Sequence, residues 1–408
     1  MKKPRLAFVS PLFLFPNDAG GKIRTTNILR QLKGGAFDVT LVCPADAEQV
    51  RRWRGELDGI CDELVTWTPR APLPRWRRAL DLFDALPVNV VADRTAEGAD
   101  AVRRVLATGQ IDLLLVDFVH AAVLMPEAVE MPSVCFTHNV EAEIFARHAQ
   151  QARGAPMRRV WASQHRKMLD FEARALRRFD TVIAVSERDA RRFGEAYGVA
   201  RARAIPTGVD PVYYAWQLPP PVDAGAPPTV VFTGSMDSAA NIDGVVFFLK
   251  SVWPRIVERA PQARFLVVGR SPAPVLVQLA SRLPNVELTG AVDDVRPYVH
   301  RAQAFVIPLL VGGGTRIKAF EGMAMGCPVV STTIGIEGLD ARPDRHYLRC
   351  DAPEDIAAAV LRLFDDAGLR ETLSRRARAL VQDEFGQERV GRIFEQICLD
   401  TLDAKGPS

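Results

Sequence analysis

The sequence predicts an α/β protein built from two doubly wound parallel sheets. Three observations carry that expectation. The chain has 408 residues, 48% of them hydrophobic and 25% charged, an ordinary globular composition long enough for two or three domains. Short apolar runs alternate with longer helical patterns from end to end, as parallel strands joined by crossover helices require. A Pro-rich stretch near the middle separates two such series.

In the first half the strand candidates are Leu6–Ser10, Asp38–Cys43, Glu63–Trp67, Asp112–Asp117, Ser133–Thr137 and Thr181–Ser186. They read as continuous Val, Ile and Leu rather than alternating polar and apolar, as expected of parallel strands covered on both faces. Between them Arg24–Lys33, Arg94–Leu106 and Met157–Arg178 are long enough to be crossover helices. The second-half runs are Thr229–Thr233, Arg264–Gly269, Val286–Thr289, Ala304–Pro308, Pro328–Ser331 and Tyr347–Arg349. Ile205–Asp210 closes the first series, and the proline-rich Leu218–Pro228 is a semi-rigid connector. The expected domains are residues 1–208 and 209–385, facing a cleft that is the default ligand site, followed by 386–408. That last segment carries an amphipathic pattern (Val390, Ile393, Phe394, Ile397, Leu402) that needs a surface to cover it.

Charge narrows the partners. The net charge is +3 overall, but residues 1–208 hold 31 basic and 25 acidic side chains and residues 209–408 hold 21 and 24. The total is too near neutral for a dedicated nucleic-acid binder, and its basic residues are spread over many helices; the basic half suits an anionic partner. Six cysteines lie far apart with no Cys-x-x-Cys, which points to reduced thiols in a cytoplasmic protein rather than a zinc site or disulfide framework. Lys2-Lys3-Pro4-Arg5 and the apolar run after it imitate a leader peptide, but Pro11 breaks the run and a first buried strand is expected instead. No stretch reaches ~18 uninterrupted apolar residues, so no membrane span is expected.

The chemistry concentrates in Pro308–Val330: a strand, Gly312-Gly313-Gly314, a short helix, a Gly stop and another buried strand. Three glycines let a ligand approach the backbone, and the N–H groups at the start of the helix favour an anion such as phosphate. Arg316 and Lys318 add two positive side chains, and Glu321 follows them into the helix, where its carboxylate can accept hydroxyl hydrogen bonds.

This segment resembles the signature of retaining GT-B glycosyltransferases of family 4, also called glycosyltransferase group 1. Other stretches match in order: Gly20-Gly21-Lys22-Ile23-Arg24 the Gly-rich loop, Phe136-Thr137-His138-Asn139 the histidine loop, and Ala184-Val185-Ser186-Glu187 a strand end near the cleft. Ile205–Asp210 matches the interdomain linker, Phe232-Thr233-Gly234-Ser235 opens the second domain, and Leu288–Asp294 resembles the loop that contacts the nucleobase. The resemblance covers about residues 5 to 385 and implies two Rossmann-like domains. It implies transfer of a sugar, with retention, from a nucleotide sugar held mainly by the C-terminal domain to a saccharide or lipid-linked acceptor. It also implies that His138 contacts the donor sugar, that Gly20, Gly21, Ser235 and Val292 lie at the donor, and that Glu321 holds the ribose. Residues 386–408 would cross back to the N-terminal domain.

Two departures matter. The first Glu of the family's Glu-x7-Glu falls on Gly313, which leaves donor-sugar contacts to the backbone N–H groups of Gly313, Gly314 and Thr315. The basic pair usual after the second domain's first strand is missing from Ser235-Met236-Asp237-Ser238, which assigns the leaving diphosphate to Arg316 and Lys318. His138, Arg316 and Lys318 are therefore the expected catalytic residues, with Glu141 a lesser polar contact and Asn139 standing where many relatives have Asp. No Asp-x-Asp occurs, so no metal and no other cofactor is expected.

The acceptor side leaves two readings. Trp76, Ala79, Leu80, Phe83 and Leu86 share one helical face among arginines; it either packs on the first sheet or lies on an anionic membrane surface. The second reading places the protein at the inner face of the cytoplasmic membrane. The missing Glu also keeps open a catalytically silent nucleotide-sugar binder, and an inverting enzyme or sugar-nucleotide epimerase remains an alternative chemistry.

Overall fold

Short apolar runs flanked by Gly, Pro and Asp cannot make stable helices and instead lie side by side as strands. The computed structural model describes residues 3–17, 20–69, 80–152, 154–206, 208–210, 213–222, 227–236, 238–311, 317–337, 339 and 341–405. The chain forms two compact units, Met1–Pro206 with Val390–Ser408, and Thr207–Arg389.

The first unit holds a seven-stranded sheet of β1 (Arg5–Val9), β2 (Asp38–Pro44), β3 (Glu63–Trp67), β4 (Leu113–Asp117), β5 (Ser133–Phe136), β6 (Thr181–Ala184) and β7 (Ala202–Ala204). Their order is β3-β2-β1-β4-β5-β6-β7, and every pairing is parallel. β1 is central, with Phe8 set against Leu41 on one side and Leu115 on the other. The order reverses between β1 and β4, so the carboxyl ends of these two strands flank the switch point where ligands of such sheets bind. The helix Gly20–Gly34 follows β1 and begins at that edge.

The last helix, Gln387–Lys405, completes this unit. Its stripe of Val390, Phe394, Ile397 and Cys398 joins the core that includes Phe8, Leu29 and Phe136. Phe394 meets Phe136 edge-on at 5.0 Å, and the Thr401 hydroxyl donates to Thr181 Oγ1 at 2.8 Å. Burial of each large apolar side chain here stabilises the fold by about 1.5–3 kcal/mol, which explains why the amphipathic pattern persists to the end of the chain.

The second unit holds β8 (Thr229–Thr233), β9 (Arg264–Val268), β10 (Val286–Gly290), β11 (Ala304–Ile307), β12 (Val329–Ser331) and β13 (Leu348–Arg349). The order β10-β9-β8-β11-β12-β13 is again all parallel between strands and switches between β8 and β11. Helix Ala239–Phe247 follows β8, and helix Ile317–Met325 lies between β11 and β12. Two cores sandwich the sheet, one around Phe248, Trp253 and Phe265, the other around Phe305, Phe320 and Met323.

The amphipathic face expected over residues 75–86 is only partly visible. Trp76 and Ala79 lie outside the described residues. Asp81–Phe83 is a single 3-10 turn, Leu80 is 61% and Phe83 86% exposed, and Leu86 packs on the first unit's core. Packing on the sheet therefore does not describe Leu80 and Phe83. No described helix is long and apolar enough to cross a membrane.

Candidate active site

In the first unit a polar cluster forms at the switch point. Asp117 ends β4 and His138 lies just past the end of β5; both are buried. His138 Nε2 lies 2.7 Å from Asp117 Oδ1, and its Nδ1 lies 3.5 Å from Arg24 Nη1. Thr25 donates its hydroxyl to the other Asp117 oxygen at 2.8 Å. Burial lowers the His138 pKa, although Asp117 pulls it upward, so the neutral ring donates from Nε2 to the carboxylate and offers Nδ1 to Arg24. Burial likewise draws Arg24 down to about 10, against the pull of Asp117.

Aromatic rings close the cluster. Phe118 stacks on His138 at 3.9 Å, and Phe136 lies 4.5 Å away. Phe118 holds an unusual φ of 64°, which turns the chain sharply as it leaves β4. Gly21 is needed here for space: a Cβ would sit 2.8 Å from Phe118 Cζ and 3.9 Å from His138 Nδ1.

Behind the cluster, buried Glu172 anchors the helix Glu141–Gln151. It accepts from the backbone N–H groups of Glu141 (2.8 Å) and Ala142 (3.1 Å) and from the Tyr197 hydroxyl (2.8 Å). These are orphan donors at a helix start, and a carboxylate is suited to them. Burial still raises the Glu172 pKa to about 7 against those three bonds.

The second unit arranges charge differently. β8 runs into Gly234 and Ser235, and the Lys318 ammonium from helix Ile317–Met325 reaches this strand end. Lys318 donates to Asn241 Oδ1 at 2.7 Å and lies 4.2 Å from the Phe232 ring centroid. Asn241 in turn donates to the Ser235 carbonyl at 2.8 Å. Gly234, at φ 153°, leaves the room the ammonium uses, because a Cβ would sit 2.8 Å from Lys318 Nζ. Three residues beyond Lys318, Glu321 accepts from the Tyr214 hydroxyl at 2.7 Å. Burial raises the Glu321 pKa, while Tyr214 and Lys318 oppose the shift; burial and the neighbouring Glu321 push Tyr214 upward.

Comparison with known proteins shows what kind of chain carries these clusters. The profile of glycosyltransferase family 4 matches residues 19–213, and that of the glycosyl transferases group 1 matches residues 227–366. The chain is a glycosyltransferase. A phosphatidyl-myo-inositol mannosyltransferase of Mycobacterium tuberculosis is 27% identical over 323 residues, spanning 76% of this chain and 79% of that protein. An uncharacterized 44.6 kDa protein in the cps region of Klebsiella pneumoniae is 19% identical over 175 residues, 41% of this chain and 45% of that one. Anabaena Alr3699/HepE, solved in complex with UDP, shares the fold with a TM-score of 0.66 at 14% identity, across 97% of this chain and 100% of that one.

Within the transferase, the expected site residues fall into three groups. His138, Gly20 and Gly21 gather at the first unit's switch point, where Gly20 and Gly21 open helix Gly20–Gly34. Both His138 nitrogens are already engaged. Asn139 is exposed, and its side chain bonds Glu141, whose pKa burial raises. In the second unit Lys318, Ser235 and Glu321 gather around the end of β8 and the following helices, while Val292 is half-buried against the core around Phe305. Gly313, Gly314, Thr315 and Arg316 lie outside the described residues.

Sequence reasoning passed over Asp117, Arg24, Thr25, Asn241 and Tyr214. A single acid ending an apolar run looks like a strand stop, yet in a parallel sheet the last residue of a switch-point strand faces the ligand edge. That position was the available signal for Asp117. Among the described residues no three His, Cys, Asp or Glu side chains converge as a metal site would need.

Proposed function

We propose that the transferase moves a sugar from a nucleotide-sugar donor to a saccharide or lipid-linked acceptor, with retention of anomeric configuration and without a resident metal. The observation that carries this reading is Lys318: an ammonium held by Asn241 and Phe232 beside the glycine backbone at the end of β8. A cation fixed before the reaction stabilises the diphosphate as it departs and takes on charge. In this reading Arg316 shares that load, the backbone of Gly313, Gly314 and Thr315 contacts the donor sugar, and Ser235 and Val292 line the donor. Glu321 holds the ribose through its carboxylate, with Tyr214 setting its orientation. His138, with Gly20 and Gly21, contacts the donor sugar by exchanging the long 3.5 Å Arg24 contact at Nδ1 for a sugar hydroxyl, while Asp117 holds Nε2 and sets the ring. The departing phosphate oxygen accepts the acceptor's proton in a front-face substitution, so no separate base is needed.

UDP bound to Alr3699/HepE supports a uridine diphosphate donor. The resemblance to a phosphatidyl-myo-inositol mannosyltransferase supports a lipid-linked acceptor. Exposed Leu80 and Phe83 in the basic half of the chain support contact with an anionic membrane, at its cytoplasmic face.

The test is a panel of UDP- and GDP-sugars with saccharide and glycolipid acceptors in excess EDTA, the product anomer read by NMR. Transfer with the donor's configuration is expected. An inverted product, or activity lost to EDTA and restored by a divalent ion, would overturn the corresponding part.

A further inference from the structure

The loop that carries His138, Thr137–Val140, joins β5 to the helix Glu141–Gln151. It is pinned at the strand end, where the Thr137 N–H and hydroxyl both donate to the Ile183 carbonyl of β6, at 2.8 and 3.0 Å. At the helix end Val140, the residue before the first turn, supplies no capping side chain. Val140 is instead buried in the core that holds Phe171, Val182 and Phe193. The open backbone donors of the helix start must therefore be met from elsewhere.

Glu172 meets them. It stands 31 residues after Glu141, on the helix Ala155–Leu176, and is fully buried. One carboxylate oxygen accepts from the Glu141 N–H, the other from the Ala142 N–H and the Tyr197 hydroxyl. Tyr197 ends the helix Glu187–Tyr197, so a single side chain joins three helices at one point. The same first turn is held from outside by Arg188 and Arg192, which reach Glu143 at 2.8 and 3.2 Å. Those two arginine side chains are 60% and 38% exposed, where solvent screening weakens an ion pair. A charged acceptor in a dry interior holds its donors more firmly than a screened pair at the surface.

We propose that Glu172 is a positioning residue for sugar transfer: by anchoring the start of the helix Glu141–Gln151 it fixes the loop Thr137–Val140 and so places His138. The assignment rests on the reading above that His138 contacts the donor sugar. Asp117 sets the tilt of the ring, whereas Glu172 sets where the loop carries it. Enclosed in the interior, Glu172 acts only through that loop. The carboxylate matters as well as the shape. Glu172→Gln keeps the volume but turns an amide N–H toward one of the donors, which replaces an attraction with a repulsion.

The experiment compares wild type with Glu172→Gln, Tyr197→Phe, His138→Ala and the double variant Glu172→Gln/His138→Ala. Asp170→Asn, exposed on the same helix as Glu172, is the control. Kinetics use the UDP- or GDP-sugar and acceptor that wild type turns over fastest in the panel above. Glu172→Gln is expected to lower kcat about 10-fold with donor KM within about twofold, as for a contact slightly displaced in the transition state. Tyr197→Phe, which leaves the two backbone bonds, shows a smaller loss in the same direction, and Asp170→Asn none. In the His138→Ala background Glu172→Gln costs nothing further, the mark of a residue that acts through His138. A purely structural role would add its loss in either background. The second readout is the His138 ring signal in the NMR spectrum of the histidine-labelled chain, identified by its absence in His138→Ala. Phe118 stacks on this ring at 3.9 Å, so its ring current makes the signal sensitive to small displacements. The signal should move in Glu172→Gln while those of His300 and His346, in the second unit, hold still. Should Glu172→Gln fold too poorly to assay, Tyr197→Phe carries the same two comparisons. An unmoved ring signal, or equal losses in both backgrounds, would overturn the role of Glu172. His138→Ala with wild-type turnover, or a wild type that uses no sugar in the panel, would instead overturn the donor reading; the ring signal then still decides whether Glu172 places the loop.

Discussion

The two units share a topology and concentrate polar side chains at the same place in it, the carboxyl ends of strands at the sheet's switch. In the first unit the cluster turns inward: Asp117, His138 and Thr25 are buried and spend their hydrogen bonds on one another and on Arg24. In the second unit Lys318 and Arg270 are held by Asn241 and Ser235 nearer the surface. The first arrangement is expensive to break, because each partner removed leaves another unsatisfied in a dry interior. The second leaves little buried if a cation is removed, so the fold should tolerate the loss. The same strand ends thus hold a buried network in one unit and positive charge nearer the surface in the other.

The sharpest way to break this contrast is Asp117→Ala. It strands the Thr25 hydroxyl and the His138 N–H, and a loss of about 3–5 kcal/mol is expected for the first unit in urea unfolding. A loss below about 1 kcal/mol would show that the cluster is no structural core.

Lys318→Ala is the opposite experiment. Donor kcat/KM should fall about 10²-fold while the melting temperature barely moves. A large drop in melting temperature with retained turnover would make Lys318 a structural residue and erase the distinction.

The smallest effect lies behind the first cluster, at Glu172. Its carboxyl releases a proton near 4.5 when exposed and near 7 in the fold. Between those values the folded chain binds more protons than the unfolded one, so this residue's contribution makes stability decline as pH rises from about 4.5 to about 7. Glu172→Gln has no such proton and should lack that slope in melting temperature against pH. An unchanged slope would remove Glu172 as its source.

Much of this architecture was legible beforehand because parallel strands covered on both faces must be continuously apolar. Every strand candidate became a strand, with ends differing by a residue or two. β7 alone escaped, since Ala202-Arg203-Ala204 at the sheet edge needs only one apolar face and shows no run. Lys318 stood out because glycine and positive charge lie close together in its sequence; the Gly-rich segment beside it lies outside the described residues. Asp117, Arg24 and Arg270 were not, since each gains its meaning from a partner on another strand or helix.

The sequence by itself determined the two sheets, their all-parallel character and the resemblance to glycosyltransferases, because apolar runs and local spacing encode these directly. Only the tertiary structure decided that His138 is spoken for on both nitrogens and that Leu80 and Phe83 face solvent. It also brought Arg270, just past the end of β9, against Ser235 of the β8 loop. The reason is physical: hydrogen bonds and charge pairs act over a few ångströms of space, and parallel strand order brings together residues the chain keeps far apart.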